Sequence, residues 1–197
     1  MKERELNATE SLELITRMIQ TTRQQVEQSS HLPFLVWGYT TVITTLAVWC
    51  TYTMTHSNIA FWLWFAIPLL GWAAMLSIGK KDANKGYVRT PIDRILSHIW
   101  VVIGIAGLVA TMASFMRPLP ILFIIVLLMG SGSIISGLIL QLRAITVAGC
   151  IGMALSLLFL LVQGINQCLI FAVIFMVMMV IPGHIMQYKH NKNQHNV

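Results

Sequence analysis

A chain of 197 residues that is 56% hydrophobic and 10% charged, with a mean hydropathy of +0.74, carries more apolar surface than a water-soluble domain of this size could cover. Its formal charge of +6 does not point to nucleic acid, because the basic residues are dispersed along the chain with no aromatic stacking residues clustered among them. The composition describes an all-α, polytopic membrane protein whose partner is first of all the lipid bilayer, with its basic residues marking one face and attracting anionic headgroups.

Residues 1–32 differ in kind from the rest. Asn7-x-x-Glu10 resembles a capping box, and Leu12, Ile15, Ile19, Thr22 and Val26 follow at spacings of 3, 4, 3 and 4, which is one stripe of a helix. Leu14 and Met18 widen that stripe, while Gln20, Arg23, Gln24, Glu27 and Gln28 form the opposite face. The segment holds four basic and five acidic residues and has no Trp or Phe, so it does not suit a lipid interface. The expectation is a cytoplasmic amphipathic helix whose stripe meets protein: a second copy, the protein's own bundle, or another cytoplasmic or membrane partner. Leu12, Ile15, Ile19 and Val26 are the candidate partner-binding residues. The mixed charge and the missing apolar h-region also differ from a signal peptide, so cleavage is not expected.

Six apolar runs follow, Pro33–Met54, Asn58–Ile78, Ser97–Met116, Leu119–Leu142, Ala144–Val162 and Asn166–Tyr188, each near the ~20 residues a bilayer core requires. Residues 33–188 are thus expected to form a six-helix transmembrane bundle and 189–197 a polar tail. If the N-terminus is cytoplasmic, the inside segments hold Lys2, Arg4, Arg17, Arg23, Lys80, Lys81, Lys85, Arg89, Arg94, Arg143, Lys189 and Lys192, leaving only Arg117 outside. Short loops follow the positive-inside bias closely, so both termini are expected inside.

Within the runs, Pro33 is expected to open the first helix, and Thr90-Pro91-Ile92-Asp93 to cap a third helix reaching Met116 over ~39 Å. Pro68 and Pro182-Gly183 are candidate kinks. Trp37, Tyr39, Trp100 and Tyr188 are assigned to an inner aromatic belt, and Trp49, Tyr52, Phe61 and Trp62 to an outer one. Trp72 lies too deep for either and is expected in a helix–helix contact. Gly132-x-x-x-Ser136 and Ser133-x-x-x-Gly137 are small-x-x-x-small patterns that permit close helix approach. Gly137-Leu-Ile-Leu-Gln141-Leu-Arg143 and Gly183-His-Ile-Met-Gln187-Tyr-Lys189 share a pattern 46 residues apart, which suggests that helices three–four and five–six are repeated hairpins.

Chemistry is sparse. All seven carboxylates (Glu3, Glu5, Glu10, Glu13, Glu27, Asp82 and Asp93) fall in the segments assigned to the cytosol, and no Lys or Arg lies at mid-membrane. That argues against proton relays, voltage sensing and ion coupling, leaving His184 and, less centrally, His98 as the titratable groups of the runs. His184, His190 and His195 lack the Cys or carboxylate neighbours of a closed zinc site, so neither a metal nor a cofactor is expected. Cys50 and Cys168 lie toward the outer ends of runs one and six, where topology permits a disulfide. The polar interior consists of hydroxyls and amides, and Thr41, Thr45, Ser133 and His184 are the residues that would line a cavity if there is one.

Gly130-Ser-Gly-Ser133 together with His184 superficially resembles the Ser/His pair of rhomboid intramembrane proteases, which also have six helices. The signature's order departs from Gly-x-Ser-Gly, however, and His184 lies near the cytoplasmic end, whereas that family's dyad opens outward. Catalysis is therefore not expected, and an intramembrane hydrolase is a remote alternative. Ser11-Leu-Glu-Leu-Ile-Thr-Arg-Met-Ile19 followed by Pro33-Phe-Leu-Val-Trp-Gly-Tyr-Thr-Thr41 resembles the opening of small bacterial inner-membrane proteins that have an N-terminal cytoplasmic helix, six spans and no known activity. The resemblance implies a bacterial inner-membrane address. The functional expectation is a non-catalytic interaction or regulatory component that docks partners through its N-terminal helix; the alternative is a small permease or channel for a neutral or lipid-like solute.

Overall fold

The structure, a computed structural model, describes residues 8–84 and 91–195, with side chains described for Leu12, Glu13, Thr16, 32–80 and 91–188. Among the described residues the fold is all-α, and six helical stretches are long and apolar enough to cross a membrane: Leu32–Thr55, Asn58–Lys80, Pro91–Met116, Ile121–Leu140, Arg143–Leu161 and Gln167–Tyr188. The chain is a multi-pass membrane protein. The helices are α1 (Ala8–Thr55), α2 (Ala66–Asn84), α3 (Pro91–Met116), α4 (Ile121–Leu140), α5 (Arg143–Leu155), α6 (Leu158–Leu161), α7 (Gln167–Phe175) and α8 (Ile181–His195).

The N-terminal segment is not a separate helix. α1 runs unbroken for 48 residues, so the amphipathic stripe and the first span share one rod, and Pro33 lies inside that rod rather than opening it. A proline there leaves one carbonyl a turn back without its usual donor, a local cost that the helix absorbs without ending. The second span begins as a 3₁₀ helix, Asn58–Phe65, capped by the Ser57 side chain accepting from the Ile59 N–H. It becomes α-helical at Ala66, so Pro68, midway along the span, lies in the first turn of α2. In the sixth span the backbone widens to a π turn over Met176–Val180, where the Ile181 N–H donates to the Met176 carbonyl. Pro182 follows directly and lacks the N–H that an α-helix would need at that point.

The most extensive contact joins α4 to α5. Gln141, in the left-handed region at φ 54°, turns the chain between them in two residues, with the Leu142 N–H donating to the Gly137 carbonyl at 2.8 Å. Gly130, Gly137 and Gly149 bring the two backbones together: a Cβ on Gly137 would lie 2.6 Å from the Thr146 backbone nitrogen, and one on Gly149 would lie 3.0 Å from the Gly130 carbonyl oxygen. The close-approach face is therefore Gly130/Gly137. Gly132 is turned to Trp100 and Ile103 of α3, while Ser133 and Ser136, the hydroxyl members of the expected small-residue pairs, are buried.

The core is built around the sixth span. Ile174, Phe175, Met178 and Met179 are almost completely buried with Val126 and Ile145, and Phe171 stacks on Phe175 with ring centroids 4.5 Å apart. Of that span's most apolar window 56% is buried, whereas none of the third span's is. Spans two and three are flanking elements, α2 packing on α1 and α3 on α4.

Two further sequence expectations are corrected. Trp72 is 71% exposed; tryptophans that do make helix–helix contacts include Trp37, whose ring lies on Gly71, Trp64, which meets Phe171 edge-on at 5.5 Å, and Trp100, which meets Phe34 edge-on at 6.2 Å. A position of given depth can face lipid or a neighbour, and depth alone does not distinguish them. The repeated Gly-to-Gln pattern occupies unlike structures: Gln141 ends α4 in the left-handed region, while Gln187 lies within α8, and Gly137 faces Thr146 whereas Gly183 faces Leu35. The disulfide that topology permits is not formed: Cys50, Cys150 and Cys168 are all free thiols.

Candidate functional site

Two regions contain the residues that the sequence singles out. On the N-terminal part of α1, Leu12 is 63% exposed and Glu13 and Thr16 are exposed beside it, the Thr16 hydroxyl donating to the Leu12 carbonyl at 2.8 Å. Ile15, Ile19 and Val26 lie on the same helix, and their side chains are outside the described residues.

The second region is inside the bundle. Thr41 and Thr45 on α1 and Ser133 and Ser136 on α4 are each at most 2% exposed, and none of the four hydroxyls has a hydrogen-bond partner within the chain. Their neighbours define where they point. On α1, Trp37 is turned to Gly71 of α2 and Gly38 to Met179 and Val180 of the sixth span; at 100° per residue Thr41 and Thr45 fall on the arc between. On α4, Gly132 is turned to α3 and Gly130 and Gly137 to α5, and Ser133 and Ser136 fall on the arc between those. Both arcs face the interior, where α4 meets α1 and α7. Trp49, one turn beyond Thr45, also keeps its indole N–H unpartnered and buried.

His184 is not part of this group. It is exposed at the groove between α1 and α8, where the Tyr39 hydroxyl is 3.3 Å from Nε2 and the two rings meet edge-on at 5.8 Å. Nδ1 lies 3.0 Å from the Val180 carbonyl, which can only accept, so Nδ1–H donates there while Nε2 pairs with the Tyr39 hydroxyl. None of these bonds reaches Ser133, and Ser131 donates to the Leu127 carbonyl of its own helix at 2.8 Å. Tyr39 was not visible as a partner in the sequence, since 145 residues separate it from His184 and no local pattern links them.

A groove of about 380 Å³ runs along the outer side of α2, lined by Pro68, Leu69, Trp72, Ala73 and Leu76. Its lining is apolar and includes none of the buried hydroxyls. Among the described residues no group of three or more His, Cys, Asp or Glu side chains could hold a metal ion. Compared with known protein families, curated proteins and solved structures, the chain matches none of them.

Proposed function

We propose that this multi-pass membrane protein is a non-catalytic interaction or regulatory component of a bacterial inner membrane that docks a partner through the N-terminal half of α1. The observation that carries the reading is the continuity of α1 from Ala8 through the first span with Leu12 63% exposed. An apolar stripe on a helix continuous with a membrane span is held at a fixed height above the bilayer, about 1.5 Å further for each residue. Burying such a stripe is favourable only against another apolar surface, and its balanced charge disfavours anionic lipid.

Crosslinking in native membranes followed by mass spectrometry tests this. Converting Leu12, Ile15 and Ile19 to Ser removes ~1.5–3 kcal/mol of burial per residue, so a crosslinked partner or dimer should be lost while membrane levels stay normal. An unchanged crosslinking pattern would sink the reading. The inside location of both termini, on which docking from the cytosol depends, rests on the charge asymmetry: a single cysteine at Ser57 in a cysteine-free background should react with an impermeant maleimide on intact cells, and one at Asn84 should not.

A second reading, a small permease or channel for a neutral or lipid-like solute, is supported by the burial of Thr41, Thr45 and Ser133 without partners. It predicts solute flux in proteoliposomes that falls when Thr41 or Thr45 is changed to Val.

A further inference from the structure

The four interior hydroxyls do without a bond that many of the chain's hydroxyls make. Thr53, Ser77, Thr111 and Ser131 each donate to the carbonyl four residues back, at 2.6, 2.9, 2.8 and 2.8 Å, and all of them are exposed or half-buried. Ser156, which is fully buried, donates to the Met153 carbonyl at 2.6 Å. Such a bond is available to any helical Ser or Thr, and it is the cheapest way to satisfy a hydroxyl in an apolar medium. Thr41, Thr45, Ser133 and Ser136 forgo it while being buried more completely than all of these except Ser156. A hydroxyl buried this completely without a partner in its own chain calls for a ligand that can donate and accept.

The spacing identifies the ligand's size. Thr41 and Thr45 are four residues apart on one face of α1, and Ser133 and Ser136 three apart on one face of α4. Residues at these separations place their Cβ atoms about 5–6 Å apart. Hydroxyl oxygens carried on Cβ atoms that far apart can turn to within about 4.5 Å of each other, which is what one water oxygen spans when it bonds both at about 2.8 Å and a near-tetrahedral angle.

We propose that the bundle core binds ordered water at two sites, one bridging Thr41 and Thr45 and the other bridging Ser133 and Ser136. These waters are structural, and the inference does not rest on the docking role of the N-terminal stripe. The full-length protein in detergent tests it through a double-mutant cycle on the thermal unfolding midpoint. Thr41→Val and Thr45→Val preserve shape and delete one hydroxyl each. Each should lower the midpoint by roughly 2–4 °C, because the bridge loses one of its bonds and strands the other. The double variant should lose no more than either single change, because both delete the same bridge. Midpoints that stay constant or rise, or losses that add, would overturn the proposal.

If a Val variant fails to fold, radiolytic footprinting of the wild-type protein in membranes decides the question. Met179 is 1% exposed and packs on Gly38, about one turn from Thr41 and two from Thr45. Radicals formed from a bound water nearby should oxidise it despite that burial, and an unoxidised Met179 would refute the sites.

Discussion

The third and sixth spans have comparable hydropathy and opposite surroundings. Both would be read as good transmembrane helices, yet over half of one window is buried in the bundle and none of the other is. In water that contrast would appear in the sequence, because an exposed helix face has to be polar. In a bilayer, lipid tails are as apolar as leucine, so a lipid-facing helix and a core helix draw on the same residues. What distinguishes them is shape. Span six has Phe171, Phe175, Met178 and Met179 interlocked with other helices, whereas α3 presents Val101, Val102, Ile105, Leu108, Val109 and Met112 outward.

The largest effect is expected where packing is densest. Phe175→Ala empties a site that is 1% exposed and stacked on Phe171. In a soluble core this change costs ~3–5 kcal/mol, of which part is transfer from water. That part is nearly cancelled here because the unfolded helix also sits in lipid, leaving about 2–3 kcal/mol for the cavity. Unfolding in mixed micelles titrated with a denaturing detergent measures it, and a loss within error of zero would remove span six from the centre of the fold.

A second test adds carbon instead of removing it. Gly137→Ala forces a Cβ to within 2.6 Å of the Thr146 backbone nitrogen, an atom that cannot rotate away, and should cost about 1–3 kcal/mol. Gly104→Ala on α3 meets nothing within 4 Å and should be neutral or stabilising by up to ~1 kcal/mol through helix propensity. Equal outcomes at the two glycines would abolish the distinction between the packed and lipid-facing sides.

The spans themselves were legible. Five of the six agree within about two residues at each end with the runs of apolar sequence, and the third starts at Pro91, where the Pro91-Ile92-Asp93 punctuation places the start of its helix. Composition alone determines that much, because the bilayer sets the length. The packing partners were not legible. Trp72 and Trp37 are both tryptophans in apolar runs, and only the location of Gly71 opposite Trp37 decides which one is covered. The continuity of α1 was also hidden, since Pro33 marks a plausible helix start and nothing local announces that the helix passes through it. Span five carries a break at Ser156–Leu157 before α6, which Gln167 caps by donating to the Phe159 and Val162 carbonyls; that support comes from the start of the next helix and has no signature in the run. Of the interior residues, Thr41, Thr45 and Ser133 were identifiable as polar groups in apolar helices, but their missing carbonyl bonds could be seen only in three dimensions.

The smallest effect belongs to the outward face of α3, and it is the most informative about assembly. Leu108 is 57% exposed and Val102 64%, so truncating either to Ala exchanges contact with lipid for contact with lipid and leaves no cavity within the chain. Each should change stability by less than ~0.5 kcal/mol, the usual range for substitutions away from packed features. The same detergent titration, run at two protein concentrations, makes the measurement discriminating. If Leu108→Ala costs as much as Phe175→Ala, and the cost grows with protein concentration, then α3 is packed against a second copy rather than against lipid. The contrast between the third and sixth spans would then belong to the single chain and not to the assembled protein.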